Sequence, residues 1–455
     1  MRKKIFAALL TAVLAAGCSS ENDEPEARQT PSPTPDTTET VTTDTTDTPQ
    51  VTPAPTFAAK YCVARLSINT DGGAAVNSKE KADYRPCTIK IEADTTAWNY
   101  EGRGRIRGRG NSTWEWYPKK PYRLKLDEKA SVLGLDEDKD WVLLANYRDP
   151  THLMNTLVFI MGEALGMPFT NHSRYVELTL NGEYMGLYLL TEQVEQGKKR
   201  VDIDKHEGWL LSLDVDDGPA EAPGAVDNFW SEVYRMPVCV KCPEAEDYAS
   251  PNTLTDDART ELAALENAIA SSDYDKLAQL CDVATMIDYL LIQEFVYNVE
   301  VAAPRSIFLF RDKGEHARWT FGPLWDFDAG FDFDWAHMTT GHNFFSDYRE
   351  TVLGTDPARH ISDYSYTPSF FTDMWRSRQF VSEVKNHWKT IRPRILSEFW
   401  PEAKRYAEAA SEAMERNASR WPIGKDAKTE INRMEKWLSS RAVYMDHIVN
   451  GYPMK

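Results

Sequence analysis

Residues 174–195 read RYVELTLNGEYMGLYLLTEQVE. Val176, Leu178 and Leu180 alternate with Tyr175, Glu177 and Thr179, which is the period of a half-buried strand. A second apolar run, residues 185–190, follows Asn181-Gly182. Asn and Gly tolerate the positive φ angles that a two-residue hairpin turn demands, so the stretch predicts a β-hairpin. Upstream, the pattern repeats in shorter form. YCVARLSI (61–68), CTIKIEA (87–93), GRIRGRG (104–110) and PYRLKLD (121–127) all alternate, and WVLLANY (141–147) reads as a buried strand. In PYRLKLD, Tyr122, Leu124 and Leu126 point one way, and Arg123 and Lys125 the other. THLMNTLVFIMGEAL (151–165) has helical spacing and ends at Gly166.

Downstream the period changes. WLLSLDV (209–215) predicts one further strand, and residues 215–255 are irregular and rich in Pro and acid. TELAALENAIAS (260–271) and DVATMIDYLLIQEFVYN (282–298) are helical in spacing. A strand pair follows, SIFLFRD (306–312) and RWTFGPLWDFD (318–328), and then long amphipathic helices from 369 to 452. The expected class is α+β, with a strand-rich N-terminal lobe and a helix-rich C-terminal lobe. No fixed-period repeat argues for a solenoid.

The N-terminus, MRKKIFAALLTAVLAAGCSS, carries a basic start, an apolar stretch at 5–16 and small residues before Cys18. That order predicts a lipoprotein signal peptide over 1–17 with Cys18 lipid-modified. The apolar run is too short to span a bilayer comfortably. The following SSENDEPE resembles surface-export signals of Bacteroidetes lipoproteins. Residues 18–57 are rich in Thr, Pro and acid and cannot bury enough apolar surface to order themselves, so a disordered tether is expected. The expected divisions after it are 58–214 for the strand-rich lobe, 215–368 for the C-terminal lobe with an acidic metal-type loop, and 369–455 for the terminal helices. This order is expected to anchor the protein through Cys18 to the cell envelope, at the outer membrane and surface-exposed. The formal charge of −18 argues against nucleic acid as a partner.

Of six cysteines, Cys62 and Cys87 flank the first strand-like segment and are the leading disulfide pair. Cys239 and Cys242 (CVKC) lack a second CxxC or paired His, so a metal site is weak there. They read as a local bridge or as two inert thiols.

Three clusters are candidates for chemistry. The first, IRGRGNSTWEWYPKKPYRLKL (106–126), sets Gly108 and Gly110 among arginines. Glycine-exposed N–H groups and guanidinium groups suit phosphate oxygens, although a basic surface hairpin has the same composition. Lys119, Lys120 and Lys125 follow. In the second, LLANYRDPTHLMN (143–155), Asn146, Arg148 and Asp149 stand where a strand hands over to a helix, and capping by Asp149 is the favoured reading. In the third, GPLWDFDAGFDFD (322–334), Asp326, Asp328, Asp332 and Asp334 alternate with aromatics. Carboxylates at that spacing on a bent loop suit a hard divalent cation.

The segments RGRGNSTW, PKKPYRLKL, DWVLLANYRD, NGEYMGLYLLTEQVE and FGPLWDFDAGF, in that order, resemble the spore-coat H (CotH) kinase-like family. The similarity covers about Arg103 to about Asp332 and runs more loosely into the C-terminal helices. The resemblance implies an atypical protein-kinase-like bilobal fold that uses ATP and Mg2+ to phosphorylate protein Ser. On that template Asp326, with Asp328 and Ser306, holds metal. Lys125 or Lys120 meets phosphate beside Arg107, Gly108 and Gly110. Thr191, Glu192 and Gln193 line the adenine hinge. The resemblance places the family's Asn-x-Asp catalytic loop at Asn298-Val299-Glu300 and its following Asn at Ser306, so two positions depart from the pattern. Glu is one methylene longer than Asp, and a base must sit within about 3 Å of the hydroxyl that it serves. Lys125, Glu300 and Asp326 are expected to share one cleft.

Two functional classes and a blander one remain open at this point. The first is ATP- and Mg2+-dependent phosphotransfer to a protein or other hydroxyl. The second is a catalytically weak or inactive surface module that recognises an extracytoplasmic protein or glycan, with WEWYP (114–118) as its aromatic cluster. The third is a structural envelope lipoprotein.

Overall fold

A computed structural model describes residues 57–332, 349, 351–353 and 369–452. Cys18, the leader, the tether and Asp334 lie outside the described residues.

Strands β1 (Ala64–Thr70), β2 (Arg85–Glu92), β3 (Tyr100–Gly108), β4 (Tyr122–Ala130), β5 (Asp138–Leu144), β6 (Arg174–Leu180) and β7 (Glu183–Glu192) close into a barrel in the order β1-β2-β3-β4-β5-β7-β6. The hairpin at 174–195 is β6–β7. Asn181 (φ 51°) and Gly182 (φ 81°) turn it, with Leu180 opposite Glu183. Closure comes from a parallel pairing of β1 with β6, with Leu66 opposite Leu178. Alternation fills the interior: Leu66, Ile68, Ile89, Ile106, Leu124, Leu143 and Leu178 are buried in one cluster. The short helix α1 (Ser112–Trp116) links β3 to β4, and α2 (Met154–Ala164) links β5 to β6.

Strand β8 (Trp209–Leu213), grouped with the N-terminal half on sequence, pairs instead in a second sheet. That sheet runs β12-β11-β8-β10-β9, using β9 (Asn228–Trp230), β10 (Pro237–Cys242), β11 (Ile307–Arg311) and β12 (Thr320–Phe321). Helices α3 (Leu254–Ala270), α4 (Tyr274–Leu280) and α5 (Val283–Phe295) lie between β10 and β11. The terminal helices are α6 (Arg378–Arg394), α7 (Trp400–Ala409), α8 (Ser411–Arg420) and α9 (Ala427–Gly451), and a π-helical turn, Ile395–Phe399, joins α6 to α7. Four starts are fixed by side-chain caps: Asp273, Asp282, Ser377 and Asp426 accept from Lys276, Thr285, Phe380 and Thr429 backbone N–H groups. The class is α+β.

The barrel's outer wall belongs to a second, larger core. Val142 and Leu144 of β5 and Leu187 and Leu189 of β7 face away from the barrel interior and pack with α2, the second sheet and the terminal helices. Two buried charges fasten those helices. Arg441 of α9 and Glu294 of α5 form an ion pair at 2.9 Å, both essentially inaccessible. Glu294 also accepts from the N–H groups of Val352 and Leu353.

The predicted Cys62–Cys87 bridge does not form; both thiols are free. Cys87 stands opposite Thr70, at the far end of β1, whereas Cys62 precedes Ala64. At about 3.3 Å per residue, six steps of strand put the two ends roughly 20 Å apart, far beyond disulfide reach. Cys239 and Cys242 are buried free thiols on β10, pushed up to about 12 by burial, which fits the inert alternative.

Candidate functional site

A cleft of about 380 Å³ lies where the outer barrel wall meets the second sheet, and the acidic loop reaches into it. Its walls include Arg109 and Gly110 after β3, Arg123 of β4, Gln193 and Glu195 after β7, Asp214 after β8, Glu300 and Ser306 before β11, and Asp326 and Asp328 after β12. Glu300 and Asp326 therefore meet there. Asn298 and Lys125 are not among the lining residues.

Each acid is positioned by backbone. The N–H of Phe327, between the two aspartates, donates to Asn155 Oδ1 of α2 at 2.8 Å, which pins the loop to the helix. Asp326 has φ 64°, a left-handed conformation that L residues rarely hold. Strain of this kind, of order 1–3 kcal/mol, persists where the surroundings over-determine it. Asn298 caps the turn that carries Glu300: its Oδ1 accepts from the Glu300 N–H at 3.3 Å, and its Nδ2 donates to Gln293 at 2.9 Å. Asn298 is thus a buried support for Glu300. Ser306 has φ 53°, and its N–H donates to Asp214 Oδ2 at 3.2 Å. Asp149, from the second cluster, caps the start of α2 as expected, accepting from Thr151 and Met154 backbone N–H groups at 2.8 and 2.9 Å.

The electrostatics show carboxylates short of positive charge. Burial, then Asp328, raises Asp326 to about 7, against the opposing pull of Arg109 and Arg148. Burial, then Asp326 and Asp328, holds Glu300 well above the usual carboxylate range. Its Oε2 is shielded from water and has no hydrogen-bond partner. Burial and Asp140 raise Glu195 to about 8. Among the described residues no cluster of three or more His, Cys, Asp or Glu forms a ready metal cage. Magnesium does not need one: it is ordinarily held by one or two carboxylates plus water and phosphate oxygens. Asp326 and Asp328 fit that donor set.

Several sequence-stretch expectations land elsewhere. Lys125 stands on the outer face of β4, ion-paired to Asp140 at 3.0 Å. Lys120 donates to the carbonyl of Trp114 and lies over its ring. Arg107 donates to the carbonyls of Lys79 and Gly108. Gly108 is required by packing, since a Cβ there would lie 2.3 Å from Trp114. Gly110, at φ 82°, lets the loop turn into the cleft. Gln193 lines the cleft, but Thr191 and Glu192 do not. Glu192 instead binds His172, accepting its N–H at 2.7 Å and lying 2.8 Å from Nδ1. His172 lines a larger cavity, about 580 Å³, on the other side of α2. Acids there, such as Glu402, are already paired with Lys60 and Arg405, so the carboxylate cluster marks the smaller cleft as the chemical one. The cations that line this cleft are Arg109, Arg123, Lys241 and Arg305, of which Lys241 and Arg305 pair with Asp217 and Asp216. Arg123 is held by Asp140 at 2.8 Å and Glu195 at 3.3 Å. Alternation had placed Arg123 and Lys125 on one face, and of the two only Arg123 lines the cleft.

The family described as CotH kinase protein matches residues 106–445, which takes in every wall of this cleft. Among curated proteins none matches the chain.

Proposed function

The chain belongs to the CotH kinase protein family, and from that premise we propose that its cleft binds ATP with Mg2+ and transfers the γ-phosphoryl group to a hydroxyl of a protein outside the cytoplasm. The observation that carries this reading is the meeting of Asp326, Asp328 and Glu300 with Arg109 and Arg123 in one cleft. Magnesium, when bound, supplies the charge that brings phosphate oxygens next to carboxylates; Asp326 and Asp328 are the groups to hold it. Arg109 and Arg123 offer guanidinium donors to phosphate oxygens. Glu300 accepts the hydroxyl proton while the acceptor oxygen bonds to phosphorus and the bond to the ADP oxygen breaks. Burial and the neighbouring aspartates hold its carboxylate above the usual range, so positive charge entering beside it favours the ionised form. The kinase-like bilobal arrangement belongs to this reading, with the barrel as one lobe and the second sheet and helices as the other. So does envelope anchoring at the outer membrane through a lipidated Cys18. Among the described residues no helix is long and apolar enough to cross a membrane.

Thermal melting of the purified protein with ATP, with and without Mg2+, tests the reading. A native-state ligand at a hundred times its Kd stabilises by about 2.7 kcal/mol. A Mg2+-dependent upward shift that Asp326→Ala abolishes is expected; no shift at millimolar ATP with Mg2+ rejects it.

One observation favours a second reading, a kinase-like surface module with little or no catalysis that recognises a glycan or protein partner. The Oε2 of Glu300 is walled off from water, and the resemblance sets Glu300, one methylene longer, where the family's pattern has Asp. Glu300→Asp separates the two. A gain of at least about tenfold in autophosphorylation, the scale of a small displacement of a base, marks a chain that binds nucleotide but has lost its alignment. A loss of activity marks Glu300 as the working base.

A further inference from the structure

The cations of β3 and β4 are arranged in a way that the barrel does not need. The register sets Arg105 opposite Lys125 and Arg107 opposite Arg123. Like charges directly opposite each other destabilise a strand pair. Exposed edge strands often carry lysine to discourage pairing with other chains. That explanation fails here, because β3 and β4 are both flanked in a closed barrel and have no free edge. Nor is positive charge the chain's default, since its formal net charge is −18.

The counter-charges are also unevenly spread. Arg103 is taken by Asp71 at 2.7 Å, and Arg123 and Lys125 share Asp140. Arg105 and Arg107 instead flank the ring of Tyr84, at 5.1 and 5.2 Å, and among the described residues neither has a carboxylate at ion-pair distance. Arg105 is exposed and Tyr84 half-buried. The stripe is continuous with the cleft: Arg109, two residues beyond Arg107, lines it, as does Arg123.

We propose that this stripe docks the acidic flank of a polypeptide acceptor and so presents a nearby hydroxyl to the cleft. The proposal rests on the phosphotransfer reading and adds the acceptor's character to it. Four strand steps from Arg105 to Arg109 span about 13 Å. An extended acceptor covers that distance in about four residues. The preferred acceptor therefore carries Asp or Glu roughly three to five positions from its Ser or Thr.

Fluorescence anisotropy with the full chain tests this. Two labelled Ser peptides are compared, identical except for Glu or Lys at those positions. The Glu peptide is expected to bind about tenfold tighter, with an affinity that falls as salt rises. Arg105→Glu is expected to remove most of that preference and Arg105→Lys to keep it, with ATP-dependent thermal stabilisation unchanged in both. Equal affinity for the two peptides overturns the proposal, as does undiminished Glu-peptide binding in Arg105→Glu. Stronger binding to a sulfated polysaccharide of matched charge overturns the choice of a polypeptide. If ATP and Mg2+ give no stabilisation while Glu-peptide binding stays sensitive to Arg105, the docking surface stands and the phosphotransfer reading alone falls.

Discussion

Asp326 is uncomfortable twice over, in its backbone at φ 64° and in a carboxylate raised to about 7. Both discomforts are measurable. The folded protein keeps this proton up to about pH 7, whereas the unfolded chain loses it near pH 3.9. Folding stability of the metal-free protein therefore falls as pH rises between those values. Asp326→Asn is expected to flatten that decline in denaturant titrations across the window; an unchanged slope means that another group carries it. His152 works in the opposite direction. Burial, then Lys119, lowers it to about 3, so stability is lost as pH falls from about 6.5 toward 3, where only the unfolded chain takes up the proton. At this scale the acids were legible, because Asp and Glu in an aromatic setting announce buried charge. The cations were not. Lys125 and Arg123 share a face, and only the three-dimensional line of β4 past β5 decides that Arg123 enters the cleft and Lys125 meets Asp140. Glu192 failed for the same reason: it ends β7, one residue before Gln193, and its carboxylate turns to His172, which lines the opposite cavity.

At the scale of elements, local pattern read well and closure did not. The hairpin at Asn181-Gly182 and the capped helices follow from neighbouring residues. The parallel pairing of β1 with β6 joins segments about 110 positions apart, and alternation is silent about such partners. Another long-range contact shows how closely the C-terminal helices grip the barrel. Asn417 of α8 accepts from Lys119 Nζ at 2.8 Å and from the Leu187 N–H at 3.1 Å. The approach is open because residue 186 is glycine: at φ 100°, a Cβ there would sit 2.5 Å from Asn417 Oδ1. Gly186→Ala combines a disfavoured φ with that collision and is expected to cost about 2–3 kcal/mol. Chemical denaturation checks it. A cost below about 0.5 kcal/mol, the level of an ordinary surface change, means that α8 does not need the close approach.

Across the whole molecule, the described residues bury two hydrophobic clusters, one inside the barrel and one outside it. Strand β8, which the sequence reading grouped with the barrel strands, hydrogen-bonds in the second sheet, because alternation does not name a strand's partner. The larger core depends on charge as well as apolar area. Removing the cation of the Arg441–Glu294 pair strands a buried carboxylate, so Arg441→Met is expected to cost about 3–5 kcal/mol. A cost under about 1 kcal/mol, seen by calorimetry, denies the pair that role. The closing strand pair has a mechanical consequence too. β1 is the first strand of the barrel, hydrogen-bonded to β2 on one side and β6 on the other. Just before it, Tyr61 and Lys60 are clasped to Glu402 of α7 at 2.8 and 2.6 Å. A pull on the N-terminal side of Tyr61 meets that clasp first. It then loads both ladders of β1 along the strand, so their hydrogen bonds resist together instead of opening one by one. Tension arriving at Tyr61 is thus met first by the Glu402 clasp and by the two ladders of β1, on the barrel wall opposite β4 and β5, which line the cleft.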